Sequence, residues 1–356
     1  MSNRLRRLRI YMKDQDISGI VVTKPENRRY LSGFTGTAGM LFVSQDNSFL
    51  LTDFRYIEQA KIQAPDCQII KYSKSPYEVL DELVKKLSIV KIGFESDYVT
   101  FDNYRHLTRI VDQNKLTPII IDGLRIVKEQ QEIERIKKAV DIADKAFSRI
   151  LTFIRPGLTE QDVALELEYQ MRSLGAEKSA FDIIVASGSR GALPHGVASS
   201  KNVELGDLVT MDFGAVYQGY HSDITRTICM GKASEKQKEV YSIVLKSQLA
   251  GVQAVKSGRT GKEVDSVARK TIEDAGYGDY FGHGLGHGVG LAIHEEPRLS
   301  PSNEDGVLTE SMIVTVEPGI YIPDWGGIRI EDTVVVAADK AEVLTASSKQ
   351  LIELDF

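Results

Sequence analysis

The chain has 356 residues, 42% of them hydrophobic and 26% charged, long enough for two domains with well-buried cores. A net charge of −6 argues against nucleic acid or an anionic membrane surface as the main partner, and no apolar run approaches the roughly 18 residues of a membrane span. Two cysteines far apart, Cys67 and Cys229, suit buried small residues in a reducing compartment, so a cytoplasmic enzyme or binding protein is expected.

The opening segment, MSNRLRRLRIYM, is arginine-rich, as transit peptides are. However, Leu5, Leu8 and Met12 share one helical face and Asp14 and Asp16 follow, which predicts a first domain helix. Residues 19–23, 40–44, 48–53, 67–72 and 91–96 are apolar, partly β-branched runs between charged helical segments, and this alternation predicts an α/β domain over residues 1–123. FTGTAG at 34–39 reads as a turn between strands, and the stretch from Pro118 to Gly123 as a break between domains. Residues 124–356 then begin with a helix whose apolar members Ile133, Ile136, Val140, Ala143, Phe147, Ile150 and Ile154 step by three and four until Pro156-Gly157. A second helix over 160–174 has Val163, Leu165, Leu167 and Met171 as its apolar members. Further helices are predicted near 233–256 and 261–275, and strand-rich sequence from 307 to 345.

Residues 208–228, LVTMDFGAVYQGYHSDITRTI, carry apolar strand residues at both ends. A hairpin folded about Tyr217-Gln218 sets Asp212 opposite Asp223. Like charges facing each other destabilise a sheet, and Asp is a poor strand former. Either one Asp lies on the surface in a register shifted by one, or something neutralises the pair. The stretch FGHGLGHGVGLAIHEEP at 281–297 gathers His283, His287 and His294 among five glycines. It contains neither GxxxxGK[ST] nor GxGxxG before a helix, so a phosphate-cradling loop is disfavoured. His294-Glu295 does not complete HExxH, because Arg298 stands where the second histidine would be. A metal site on irregular chain remains, and it needs ligands from elsewhere.

Residues 312–336, MIVTVEPGIYIPDWGGIRIEDTVVV, repeat the acidic arrangement: a hairpin about Pro323-Asp324-Trp325 sets Glu317 opposite Glu331. Four carboxylates cannot share an apolar interior as anions. Protonation could relieve one pair, whereas two divalent metals relieve both. With His287 the four form a hard, oxygen-dominated ligand set that suits Mn²⁺, Co²⁺ or Fe²⁺ at least as well as Zn²⁺. Two such ions about 3.5–4 Å apart can hold a bridging water of lowered pKa, which makes hydrolysis the leading reaction class. Gly286 and Gly288 would let the backbone approach the site closely. His195, in LPHGVAS, and His294 can each donate a proton or a hydrogen bond to the oxyanion and leaving group of an amide, although a lone histidine is more often structural. His221 has no assigned role, and His106 reads as structural.

The ordered segments MDFGAVYQGYHSDITRT, GHGLGHGVGLAIHE, VTVEPGIYIP and GGIRIEDT closely resemble the pita-bread metallopeptidases, and within them the proline-specific branch of aminopeptidase P and prolidase (Xaa-Pro dipeptidase). The resemblance extends through LPHGVAS to YLSGFTGTAG and TDFRY in the first domain. It implies a creatinase-like N-terminal α/β domain and an α+β C-terminal domain with a curved antiparallel sheet. It further implies that Asp212 binds one metal, that Asp223 and Glu331 bridge two, and that His287 and Glu317 complete the other, with Mn²⁺ as the first choice. Glu317 would take a proton from a metal-bridged hydroxide or water and pass it toward the leaving nitrogen, while His195 and His294 bind substrate and stabilise the tetrahedral intermediate. Arg329, two residues before Glu331, would orient that carboxylate or bind substrate; an ordinary surface ion pair is the plainer alternative. The implied partners are short proline-containing peptides and a second copy of the chain in a homodimer. Two alternatives share the fold: a metal-free, creatinase-like amidinohydrolase and a non-catalytic binding member. The complete ligand set weighs against both.

Overall fold

A computed structural model describes residues 3–304 and 306–356, and the chain divides into two compact units, Met1–Arg125 and Ile126–Phe356. The first contains α1 (Asn3–Asp14), β1 (Gly19–Val22), α2 (Pro25–Ser32), β2 (Met40–Ser44), β3 (Ser48–Thr52), α3 (Ile57–Gln63), β4 (Gln68–Lys71), α4 (Pro76–Lys86), β5 (Ile92–Glu95), α5 (Phe101–Ile110) and β6 (Leu116–Ile119). Leu5, Leu8 and Met12 are buried on α1, as their spacing predicts. The sheet order is β4-β3-β2-β1-β5-β6, with β2 antiparallel to both neighbours and the other pairings parallel.

Two local expectations differ from this unit. β6 occupies the start of the expected break: Pro118 cannot donate to a ladder, but β6 is an edge strand that pairs, among the described residues, with β5 alone. FTGTAG joins α2 to β2 rather than two strands. With 8 residues, α2 is too short for a clear periodic signal. Its ends are set instead by Pro25 in the first turn and by Gly33 at φ 82°, which takes the left-handed position that closes the helix.

The second unit begins with α6 (Gln130–Phe153) and α7 (Glu160–Ser173). The expected inward residues of α6 are buried, and a Thr159–Asp162 capping box starts α7. Val163, Leu167 and Met171, spaced by four, are buried, whereas Leu165 is 69% exposed because two residues carry it to the opposite face. Then follow β7 (Lys178–Ser179), β8 (Ile184–Ser187), β9 (Leu208–Phe213), β10 (Ala215–Tyr217), β11 (Tyr220–His221), β12 (Ile224–Met230), α8 (Glu235–Ala254) and α9 (Gly261–Asp274). The remainder is β13 (Gly286–Gly288), β14 (Glu295–Leu299), β15 (Ile313–Val316), β16 (Gly319–Ile322), β17 (Gly326–Arg329), β18 (Asp332–Val335), β19 (Glu342–Val343) and β20 (Glu353–Leu354). The sheets run β11-β10-β7, β20-β12-β9-β8, β14-β13-β15-β18-β19 and β16-β17. Every pairing is antiparallel except β12–β20, so the expected antiparallel architecture carries one parallel edge.

One apolar cluster packs α6 and α7 against β9 and β12, and another packs α8 and α9 against β15 and β18. Polar ties join their strands. Arg226 of β12 is fully buried and donates to Glu331 O and to Asp332 Oδ1, the latter at 3.0 Å. The amide of Glu331 donates to Thr225 O at 3.1 Å. The two acidic hairpins are thereby drawn together. No helix among the described residues is long and apolar enough to cross a membrane.

Candidate metal centre

The first hairpin turns one residue later than expected. Tyr217 pairs with Tyr220 across Gln218-Gly219, both left-handed at φ 47° and 76°, which is the two-residue turn that matches strand twist and favours glycine at its second position. Asp212 therefore faces Thr225 rather than Asp223. Asp223 lies two residues along, on the same face, because side chains alternate with a period of two. The second hairpin keeps the expected register: Val316 pairs with Asp332 and Gly319 with Arg329, which sets Glu317 across from Glu331.

His287 arrives from β13, between β14 and β15. A Cβ on Gly286 would stand 2.1 Å from Thr315 O, and one on Gly288 2.3 Å from Glu296 O, so only glycine permits this close approach. The His287 amide donates to Thr315 Oγ1 at 3.0 Å, and that hydroxyl donates to Glu317 Oε1 at 3.0 Å. One threonine thus fixes both an imidazole and a carboxylate. From α9, Arg269 donates to Phe281 O at 2.9 Å and His283 O at 2.7 Å, while Asp265 accepts the Leu285 amide at 2.9 Å. The helix thereby holds the glycine-rich chain that leads to His287.

Carboxylate oxygens of Asp212, Asp223 and Glu331 lie within 4.8 Å of one another. His287 Nε2 stands 3.6 Å from Asp223 Oδ2 and 3.4 Å from Glu317 Oε1. Its Nδ1 faces Gly288 O at 3.0 Å, and a carbonyl only accepts, so Nδ1 carries the proton and Nε2 turns a lone pair toward the carboxylates. Burial, then the charge of Glu331 and of Asp212, raises Asp223 well above the usual carboxylate range. Burial first, then Glu317 and Asp212, does the same to Glu331, and Glu317 is raised to about 7, chiefly by burial. Burial lowers His287 to about 3.

These residues fit divalent cations. Asp212 Oδ1 is buried and has no hydrogen-bond partner among the described residues, although a buried oxygen without a donor is costly. The lone pair of His287 is likewise aimed at anions. A cation among them would satisfy both, and the donor set of four carboxylates and one imidazole suits two.

A cavity of about 660 Å³ opens over Asp212, Asp223, His287 and Glu317. His195 and His294 line it and are both exposed, and the His294 ring stands edge-on to His287 with centroids 4.3 Å apart. Burial, Arg298 and His195 hold the His294 pKa below its ordinary value. Arg329 also lines the cavity but is only 3% exposed, so the surface ion-pair reading does not hold. It donates to Asp212 Oδ2 at 2.7 Å, holding that carboxylate rather than Glu331, and to Pro194 O at 3.2 Å beside His195. Its pKa is raised well above the ordinary value: burial opposes the charge, but Tyr321, Asp212 and Glu317 outweigh it.

Tyr321 and Arg298 have no part in the sequence reading. The Tyr321 hydroxyl accepts from Arg329 Nη1 at 2.9 Å. It donates to His283 Nε2 at 2.9 Å, because His283 Nδ1 gives its proton to Gly284 O. Gly319 leaves room for that hydroxyl, since a Cβ there would stand 2.4 Å from the Tyr321 oxygen. Arg298 is exposed, lines the cavity, and its guanidinium makes no hydrogen bond or ion pair among the described residues, although its charge is felt by Glu317 and His294. His221 is tied to Gly290 O through its backbone amide and its Nδ1 and does not line the cavity. His106 stacks on Tyr77 in the first unit, with ring centroids 4.7 Å apart.

Residues 134–338 match metallopeptidase family M24, and residues 4–127 match the creatinase/prolidase N-terminal domain. The chain is similar to the solved Xaa-Pro dipeptidase from Bacillus anthracis, at 49% identity and a TM-score of 0.96 over 99% of both chains. It is 44% identical to the Xaa-Pro dipeptidase of Pyrococcus furiosus over 99% of this chain and 100% of that one. The X-Pro aminopeptidase from Thermotoga maritima is 41% identical with a TM-score of 0.89, covering 98% of this chain and 99% of that one.

Proposed function

The chain belongs to metallopeptidase family M24, and from that premise we propose that it hydrolyses the Xaa-Pro bond of dipeptides or at the N-terminus of short peptides, as an Xaa-Pro dipeptidase or Xaa-Pro aminopeptidase. The buried carboxylate cluster around the His287 lone pair carries this reading. Asp212, Asp223, His287, Glu317 and Glu331 would hold two divalent cations. Mn²⁺ is the first choice, and Co²⁺, Fe²⁺ or Zn²⁺ fit the same ligands. When bound, such cations neutralise the carboxylates and supply a water or hydroxide of lowered pKa as the nucleophile.

The chain's own residues supply the rest. Glu317, hydrogen-bonded by Thr315, takes the proton released in the attack and passes it toward the proline nitrogen, which has no hydrogen of its own and must gain one to leave. His195 and His294, exposed on the cavity wall, donate to the oxygen on which negative charge develops. Arg329 keeps Asp212 in place and, through Pro194 O, steadies the approach of His195. Arg298 offers a guanidinium to the carboxylate of a C-terminal proline, which favours dipeptides. The two unpaired cysteines support a cytoplasmic setting, and a homodimer accords with the family resemblance; light scattering on purified protein tests the latter.

The deciding experiment compares cleavage of Ala-Pro and Ala-Pro-Ala by metal-stripped protein before and after Mn²⁺ is restored. Metal-dependent cleavage of the dipeptide alone identifies a dipeptidase, and release of alanine from the tripeptide an aminopeptidase. Failure to cut either with metal bound would remove the proline assignment.

A further inference from the structure

Between β7 and β8 the chain leaves the regular ladder. Ser179 pairs with Ala215 and Ile184 with Asp212, so residues 180–183 run opposite only Phe213 and Gly214. Surplus residues in one strand of a pair are pushed out of line, and such bulges re-aim side chains beside functional sites. Phe181 and Asp182 lie in this bulge and both line the cavity, next to Ile184, the direct neighbour of Asp212. Asp182 is exposed, and its carboxylate has no hydrogen-bond or ion-pair partner among the described residues.

The charge pattern of the cavity gives this carboxylate a meaning. His195, His294 and Arg298 offer donors, which suit the carbonyl oxygen, the leaving nitrogen and a terminal carboxylate. The one part of a free peptide that always carries positive charge is the residue on the amino side of the scissile bond. Asp182 is a carboxylate on the cavity wall that neither belongs to the metal cluster nor has a partner. We propose that Asp182 is a specificity-determining residue, pairing with an ammonium group on the residue before proline. The inference rests on the Xaa-Pro peptidase reading. The ammonium has two sources, the α-amino group or the side chain of a lysine. A second groove of about 570 Å³ shares Phe181, Asp182 and Val197 with the cavity and leaves room for a long side chain.

The test compares wild-type protein and Asp182→Asn, both loaded with Mn²⁺, on Ala-Pro, Lys-Pro and propionyl-proline, which lacks any amine. An exposed pair of this kind is worth roughly 1.5- to fivefold in binding, so KM should rise by about that factor while kcat, metal content and melting temperature stay at wild-type values. Equal losses on Ala-Pro and Lys-Pro, with none on propionyl-proline, assign the α-ammonium. A loss confined to Lys-Pro assigns the side chain. Unchanged KM on both amine-bearing peptides overturns the inference while leaving the peptidase reading intact. No cleavage of these substrates or of Ala-Pro-Ala by metal-loaded wild type overturns both.

Discussion

With its Nδ1 proton given to Gly288 O, His287 turns a lone pair toward Asp223 and Glu317, an arrangement that repels in bare protein and attracts around a cation. Asp223→Asn keeps the shape and removes one charge, so we expect activity to fall by about 100-fold or more and bound metal to drop below two per chain. Full activity in that variant would contradict a two-cation centre. The metal-stripped protein should also reveal the strained charges. Glu317 is raised to about 7, and Asp223 and Glu331 are raised as well, so each contributes stability that is present at low pH and lost as pH rises through its folded value. The lowered histidines, His287 at about 3 and His283 at about 4, act oppositely, losing stability as pH falls below their ordinary value of 6.5. The two sets oppose each other below 6.5, and above it only the carboxyls still titrate. Stability of the stripped protein should therefore fall from pH 6.5 through about 7, where Glu317 gives up its proton, by up to about 1.4 kcal/mol per pH unit for that group, and saturating Mn²⁺ should abolish the fall. A pH-independent melting temperature in stripped protein would count against this. At this scale the acids were legible because aspartate and glutamate stand out in β-branched strands. Tyr321 was not, since a tyrosine in a strand looks like ordinary packing until its hydroxyl is seen between Arg329 and His283.

Elements were legible where periodicity is long and ambiguous where two residues decide. The 24-residue helix α6 declared itself by its apolar spacing. The first hairpin slipped because a left-handed pair at Gln218-Gly219 and a turn at Tyr217-Gln218 differ by one position, yet the partner shifted by two, and Asp212 and Asp223 stayed on one face. The bulge at 180–183 left no mark in the sequence, because a bulge is a mismatch between strands and cannot be read from either alone. The glycines around His287 were legible in kind, and their necessity is now specific. Gly286→Ala would press a methyl group to within 2.1 Å of Thr315 O, forcing β13 away from β15 and carrying His287 with it. We expect about 1–3 kcal/mol of destabilisation together with weakened metal binding. Wild-type metal affinity in a folded Gly286→Ala protein would show that β13 tolerates the shift.

At the scale of the molecule, the sequence places the change of domain near residue 123, and the chain divides into its two compact units between Arg125 and Ile126. All five expected ligands belong to the second unit but are spread from Asp212 to Glu331, and none lies close enough in sequence to a partner to form a site in an unfolded chain except Asp212 with Asp223. A cation therefore binds the folded chain almost alone, and by mass action its binding energy adds to folding stability. At a Mn²⁺ concentration about 100 times its dissociation constant, one site contributes about 2.7 kcal/mol. That should raise the melting transition of the unit bearing the ligands by roughly 5–10 °C. The first unit, which holds none of these residues, gains nothing directly, so a calorimetric scan that separates two transitions should show one move with added metal and the other stay. Asp223→Asn should blunt the shift. If neither transition moves in wild-type protein at saturating Mn²⁺, Co²⁺, Fe²⁺ or Zn²⁺, the cluster holds no cation and the raised Asp223, Glu317 and Glu331 are carried as neutral acids.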